Sequence, residues 1–234
     1  MGALSDIKVL DLTRVLAGPY ATMLLADLGA EIIKIEQPEK GDDSRAFGPY
    51  KNGESAYFMS INRNKESITL NLKAPEGKEI LKELVKQVDI LVENFRPGTM
   101  EKLGLGYDVL KEINPRLIYA SSTGYGQTGP YSQRPAYVAV VQAMGGIMSI
   151  TGQPDGVPTR VGTSIGDITA GLFCAAGILA ALHERERSGV GQMVDVAMLD
   201  CQVAILENAI SRFEFTGEIP HPIGNRHPSI VPFE

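Results

Sequence analysis

Apolar and polar positions along the chain fall into short strand-like runs separated by stretches with helical spacing. Residues 7–12 (IKVLDL) alternate apolar and polar side chains and predict a first strand. Leu16-Ala17-Gly18-Pro19 interrupts that run, and a helix is expected over residues 20–28, closed by Gly29. Residues 31–36 (EIIKIE) predict a second strand, so the chain opens with a compact β-α-β unit. Such a unit dictates parallel pairing and a right-handed crossover. Residues 37–54 are polar and rich in Gly, Pro and Asp, which reads as a loop. Residues 67–72 alternate again and predict a strand. Pro75 then opens a helix at its first turn, with Ile80, Leu81, Leu84 and Val85 on one face. Residues 89–95 predict a strand stopped by Pro97-Gly98. Two short helices, 99–103 and 107–113, lead to a strand at 117–122.

The glycine-punctuated loop GYGQTGPY, residues 124–131, follows at that strand's carboxyl end. In parallel α/β sheets this is the edge where ligands bind. A helix over 138–148, a hairpin-like turn at 153–156, a strand at 192–197 and a long apolar helix from 199 to 213 complete the pattern. Regular strand-helix alternation predicts the α/β class. The last residues, 217–234, hold four prolines and no periodicity. They are expected to be a linker at 216–234, following a domain that spans 1–215.

One stretch, 161–192, stands apart. Asp167 separates a Gly/Ser/Thr segment from the alanine-rich run of 15 uncharged residues 168–182, and His183-Glu184-Arg185-Glu186-Arg187 follows. A helix with a buried body and a water-exposed C-terminal end is expected, with basic residues in its last turn and Gly189 just past it. Asp167 then sits at the positive end of the helix dipole, where free N–H groups favour an ionised carboxylate. A helix cap and a functional carboxylate both fit that position. The run would span about 22 Å as a helix, short of the ~30 Å hydrocarbon core of a membrane.

Composition narrows the choices. With 44% hydrophobic and 21% charged residues, the chain has the make-up of a globular domain. A net charge of −6 argues against nucleic acid as a partner. Cys174 and Cys201 both lie in apolar helical patterns, reading as buried thiols of a reducing compartment. The first residues lack a long apolar core, so a cytoplasmic protein is expected, away from membranes. Neither GxGxxG nor a P-loop occurs, and neither HExxH nor a Cys/His cluster, so no metal is expected. Arg63, Lys65, Lys73 and Arg96 flank strand ends and could converge on a phosphorylated ligand, or could simply form a solvated face.

Taken together, the segments resemble one family, the class III coenzyme A transferases, a group that includes formyl-CoA transferase, carnitine CoA-transferase and α-methylacyl-CoA racemase. The matching pieces are VLDLTRVLAGPYATMLLADLGAEIIKIEQP, SINRNKESITLNLKAPEGKE, ILVENFRPGTMEKLGL, GYGQTGPY, GDITAGLFCAAGILAAL and GQMVDVAMLD, in collinear order. The resemblance implies a Rossmann-like parallel sheet flanked by helices, and an interlocked homodimer or a complementary C-terminal chain. It implies coenzyme A as part of an acyl-CoA substrate, a carboxylic acid as acceptor, and Asp167 as the nucleophile. Coenzyme A is expected along Val15, Leu16, Ala17, Leu72, Lys73, Asn94, Phe95, Arg96, Lys102 and Leu103, with Tyr137 nearby. The racemase branch carries a histidine where this chain has Tyr137; without it, proton transfer at Cα lacks a partner. Val138 stands where many members are acidic, and Glu66 where arginine is frequent. Members of the family are also longer, with a small domain following the segment matched here.

Overall fold

A computed structural model describes residues 2–232. Among them the order is β1 (Lys8–Asp11), α1 (Ala17–Asp27), β2 (Glu31–Glu36), β3 (Tyr50–Lys51), β4 (Glu54–Ser55), α2 (Ala56–Ile61), β5 (Lys65–Thr69), α3 (Pro75–Val85) and β6 (Ile90–Glu93). It continues with α4 (Thr99–Leu103), α5 (Tyr107–Ile113), β7 (Ile118–Thr123), α6 (Val138–Met144), α7 (Ile165–Ser188), β8 (Met193–Ala197), α8 (Met198–Ala204) and α9 (Asn208–Thr216). Six strands form one parallel sheet in the order β5-β2-β1-β6-β7-β8, and β3 pairs with β4 in a separate hairpin. Stepping outward from β1 in both directions, this is the doubly wound Rossmann order, with its reversal point between β1 and β6.

Both sheet faces are covered, and the strands divide their side chains accordingly. Val9, Ile32, Ile90, Val92, Ile118 and Ala120 meet the small residues of α1 and α7. Leu10, Leu91, Ile35 and Tyr119 meet Leu81 and Val85 of α3, Met100 of α4 and Leu110 of α5. The α1–α7 contact is close because Gly171 lacks a side chain: a Cβ there would stand 2.8 Å from the Ala17 carbonyl oxygen. At 24 residues, α7 is longer than its uncharged run and is apolar enough by length and composition to cross a membrane. Its Ala170, Cys174, Ile178 and Ala181 are buried in the core.

Several expectations shift. The alternation at 7–12 does not mark a solvated face, because Asp11 is fully buried among charges. Lys65 Nζ lies 2.9 Å from Asp11 Oδ2 and also donates to Pro19 O, Thr22 Oγ1 and Asn62 Oδ1. Lys34 Nζ lies 2.9 Å from Asp42 Oδ2, and both side chains are almost fully buried. Burial raises the Asp11 pKa, but the Lys65 and Lys34 ammoniums, helped by Thr13 and Thr22, hold it well below the usual carboxylate range. Strand β5 begins two residues earlier than the alternation at 67–72 suggests, since pairing with β2 sets its register, Ile32 opposite Lys65. The polar 37–54 segment includes a 3₁₀ turn at Asp43–Ala46 and the β3–β4 hairpin. Helix α2 follows it directly, unannounced by any apolar periodicity and capped by the Ser55 hydroxyl, which accepts from Phe58 N–H. The helix expected over 138–148 breaks at Gly145, and the remainder is a 3₁₀ turn at Ile147–Ile150. The long helix expected from 199 to 213 is two, α8 and α9, broken at Glu207 with φ 53°. Between them Leu206 turns towards Gly146. At the end of α7 Arg187 is exposed as expected, while Arg185, on the buried face, folds inward to Asp89, 2.9 Å away.

Removing Asp11 leaves the Lys65 ammonium buried without its counter-charge. An Asp11→Ala chain is expected to lose about 3–5 kcal/mol of unfolding free energy, whereas Asp11→Leu combined with Lys65→Met loses clearly less. Denaturant titration of both decides it, and equal losses would contradict the coupling.

Candidate active site

Carboxyl ends of β1, β6 and β7 open onto a cavity of about 490 Å³. The turn after β1 contributes Arg14, Val15, Leu16 and Ala17, the end of β6 Asn94, Phe95 and Arg96, and the end of β7 Ser122 and Thr123. Tyr57 of α2, Arg134, Tyr137 and Asp167 of α7 close the ring. A cavity at the reversal point of a doubly wound sheet is where such folds bind ligands.

Asp167 is the third residue of α7, and Ser164 occupies the cap position without a side-chain cap bond. The carboxylate is therefore not the cap. Burial pushes its pKa up to about 6, and its own backbone N–H only partly offsets that. The helix start does not lower it as the dipole alone would suggest, yet at neutral pH the group is mostly ionised and poorly solvated. That is the state a carboxylate nucleophile requires. Tyr57 shares the cavity; burial and then the charge of Asp167 raise its phenol pKa. Of the glycines around Asp167, Gly166 is hemmed by Val141, Met198 and Val138, and Gly171 serves the α1 contact.

The β1–α1 turn is held from two sides. Arg14 N–H donates to Asn94 Oδ1 at 2.9 Å, and Asn94 Nδ2 donates to Arg14 O at 2.8 Å. Next along, Val15 has φ 67°, a left-handed conformation that a β-branched side chain resists. Its N–H donates to Asp42 Oδ1 at 3.1 Å.

A second cavity, about 510 Å³, adjoins the first and shares Arg14 and Phe95 as lining residues. Leu72, Lys73 and Leu103 line it, together with Glu36, Asp42 and Asn71. The candidate residues thus separate into two neighbouring groups. Val15, Leu16, Ala17, Asn94, Phe95, Arg96, Tyr137 and Asp167 surround one cavity; Leu72, Lys73, Leu103 and again Phe95 surround the other. Lys102 is exposed and lines neither. Two basic residues read as candidate phosphate contacts do not converge here. Lys65 points inward to Asp11, and Arg63 pairs with Asp27. Among the described residues, no group of three or more His, Cys, Asp or Glu side chains is placed to hold a metal.

The profile of CoA-transferase family III matches residues 4–234. The chain belongs to that family. It is 53% identical over its whole length to the acetyl-CoA:oxalate CoA-transferase of Acetobacter aceti, of which it covers 60%. With the succinyl-CoA:glutarate CoA-transferase of Mus musculus the identity is 48%, covering 100% of this chain and 54% of that protein. Among solved structures, a CaiB/BaiF family protein from Brucella suis superposes with a TM-score of 0.94 at 44% identity. It is matched over 99% of this chain and 62% of its own. The chain spans between 53% and 61% of the length of these and similar CoA-transferases.

Several lining residues of this family III chain escape sequence reasoning. Tyr57 lies on a helix that no periodicity predicts, Arg134 lies in an irregular loop, and Ser122 and Thr123 look like ordinary strand residues. Arg134 stacks its guanidinium over the Tyr131 ring at 4.1 Å.

Glu93, the last residue of β6, lines neither cavity but is also unannounced by the sequence. Its side chain is buried, and Oε2 accepts from Phe95 N–H at 2.8 Å. Burial pushes its pKa up to about 7, against the opposing pull of the Ser121 hydroxyl and the Phe95 amide. The folded pKa lies above the ordinary glutamate value of 4.5, so the native state holds a proton that the unfolded chain releases. Stability from this group therefore falls as pH rises from about 4.5 to about 7 and stays reduced above, by an amount of order 3 kcal/mol. Glu93→Gln should accordingly gain melting temperature over wild type as pH goes from about 5 to about 8. Thermal melts across that range check it, and a gap independent of pH would contradict it.

Proposed function

We propose that the protein is a CoA-transferase that exchanges coenzyme A between an acyl-CoA and a free carboxylic acid, with Asp167 as nucleophile. The observation that carries the reading is the half-buried carboxylate of Asp167 in the cavity at the sheet's reversal point, in a chain of family III. An Asp167 oxygen attacks the thioester carbonyl carbon; the C–S bond breaks, leaving a mixed anhydride and a CoA thiolate. The thiolate attacks the aspartyl carbonyl, breaking the anhydride C–O bond, so that the acyl group departs as a carboxylate and an aspartyl–CoA thioester remains. The acceptor carboxylate attacks this thioester and releases the thiolate, which then takes the acceptor's acyl group and regenerates Asp167. No net proton is consumed. A poorly solvated nucleophile attacks readily, and the backbone N–H groups of the α7 start are suited to receive the developing oxyanion.

The named relatives pair acetyl-CoA or succinyl-CoA with oxalate, glutarate or mesaconate. Small dicarboxylic acids are therefore the acceptors to try first, and the cations Arg14, Arg96 and Arg134 around the cavity support an anionic ligand. Coenzyme A lies, in this reading, along both cavities, its reactive end at Asp167. A homodimer or a complementary chain belongs to the same reading, supported by the exposed apolar Leu172, Phe173 and Leu179 on α7. The buried free thiols Cys174 and Cys201 fit a cytoplasmic location.

Incubation with acyl-CoA followed by hydroxylamine should trap the activated carboxylate as a hydroxamate on Asp167. Because the group must be ionised, acyl-enzyme formation is expected to rise through pH about 6 and level off above about 7. Asp167→Ala should lower transfer by at least about 10³-fold. Transfer by that variant at the wild-type rate would sink the proposal.

A further inference from the structure

We infer that Asp42, held by Lys34, is a positioning residue that keeps Val15 in its left-handed conformation and so shapes the Arg14–Ala17 wall for the CoA thioester. The inference rests on the reading of the cavity given above.

Val15 needs an external hold. Its side chain branches at Cβ, its φ is 67°, and Leu16, the cap of α1, makes no side-chain cap bond that would fix the turn. The neighbouring bonds fix the residues before it: Lys34 Nζ donates to Thr13 O at 2.7 Å, and Asn94 brackets Arg14. Among the described residues only the Asp42 hydrogen bond reaches Val15 itself, whose side chain also packs against the Leu16, Met23 and Ile61 cluster. Asp42 is well suited to hold it, being itself immobilised. Its Oδ1 also accepts from Ser44 N–H at 2.9 Å and Ser44 Oγ at 2.7 Å, its N–H donates to Glu36 Oε2 at 2.7 Å, and Lys34 faces Oδ2. Asp42 and Lys34 side chains are each 1% exposed, so neither charge is screened by water. Were Val15 to relax to negative φ, the peptide planes on both sides of it would turn, and Leu16 and Ala17 would present different atoms to the cavity.

The same geometry predicts an energetic coupling. Glycine takes positive φ without resistance, so a chain with Val15→Gly has little need of Asp42. The test is a double-mutant cycle of Asp42→Ala and Val15→Gly, reading the dissociation constant of free coenzyme A by calorimetry and the melting temperature. With Val15 present, Asp42→Ala is expected to weaken coenzyme A binding roughly tenfold. With Val15→Gly the same change should cost less than about threefold. Ser44→Ala removes a different bond to the same Oδ1 and should lower coenzyme A affinity less than Asp42→Ala does, because the bond from Val15 N–H remains. Should Asp42→Ala fail to fold because Lys34 is left unpaired, Lys34→Met with Asp42→Ala replaces it in both backgrounds. Equal loss of affinity in both backgrounds would mean that Asp42 acts through fold stability or directly through the second cavity that it lines, not through Val15, and would overturn the positioning role alone. Failure of the wild-type chain to bind coenzyme A would overturn the reading of the cavity, and the positioning role with it.

Discussion

The structure depends on a buried set of opposite charges beneath the carboxyl ends of β1 and β2. Asp11, Glu36 and Asp42 face Lys65, Lys34 and Arg45, with Glu36 Oε1 2.7 Å from an Arg45 nitrogen. Burial raises the Glu36 pKa, but Arg45, Ser67 and the Asp42 amide bring it down to about 2, so the group stays charged. Desolvating so many ions is costly, and each is tolerated only because its partner and further hydrogen-bonding atoms are in place. The set ties together segments remote in sequence: two central strands, edge strand β5, and the 42–45 turn. Its position at the ligand-facing end of the sheet means that the walls of both cavities are anchored to ions, while the apolar layers on either face supply the bulk of the packing.

Asp167 reaches the same place by a different route. It rides on the first turn of α7, whose close approach to α1 requires Gly171, and α1 begins where the β1 turn ends. Asp167 and the turn opposite it are therefore spaced by helix packing and not by loops. Its raised pKa has the same origin, since the packing that fixes the carboxylate also removes water from it.

Much of this could be read from the sequence. The strands at 31–36 and the helices at 75–85, 99–103 and 107–113 coincide with the structure because local period and punctuation agree with the tertiary context. Asp11 and Lys65 misled because periodicity tells polar from apolar but not a solvated charge from one paired in the interior. The break at Glu207 has no proline or glycine to announce it and follows from Leu206 packing on a distant loop. The members of the candidate site came mostly from chain-long resemblance. Tyr57 and Arg134 were invisible because their significance lies in neighbours remote in sequence.

The wall shared by the two cavities has a consequence for what can occupy them together. Phe95 and Arg14 belong to both linings, and Arg14 is tethered to Asp43 at 2.9 Å. A single ligand that occupies both cavities has to run past the Phe95 ring and the Arg14 side chain.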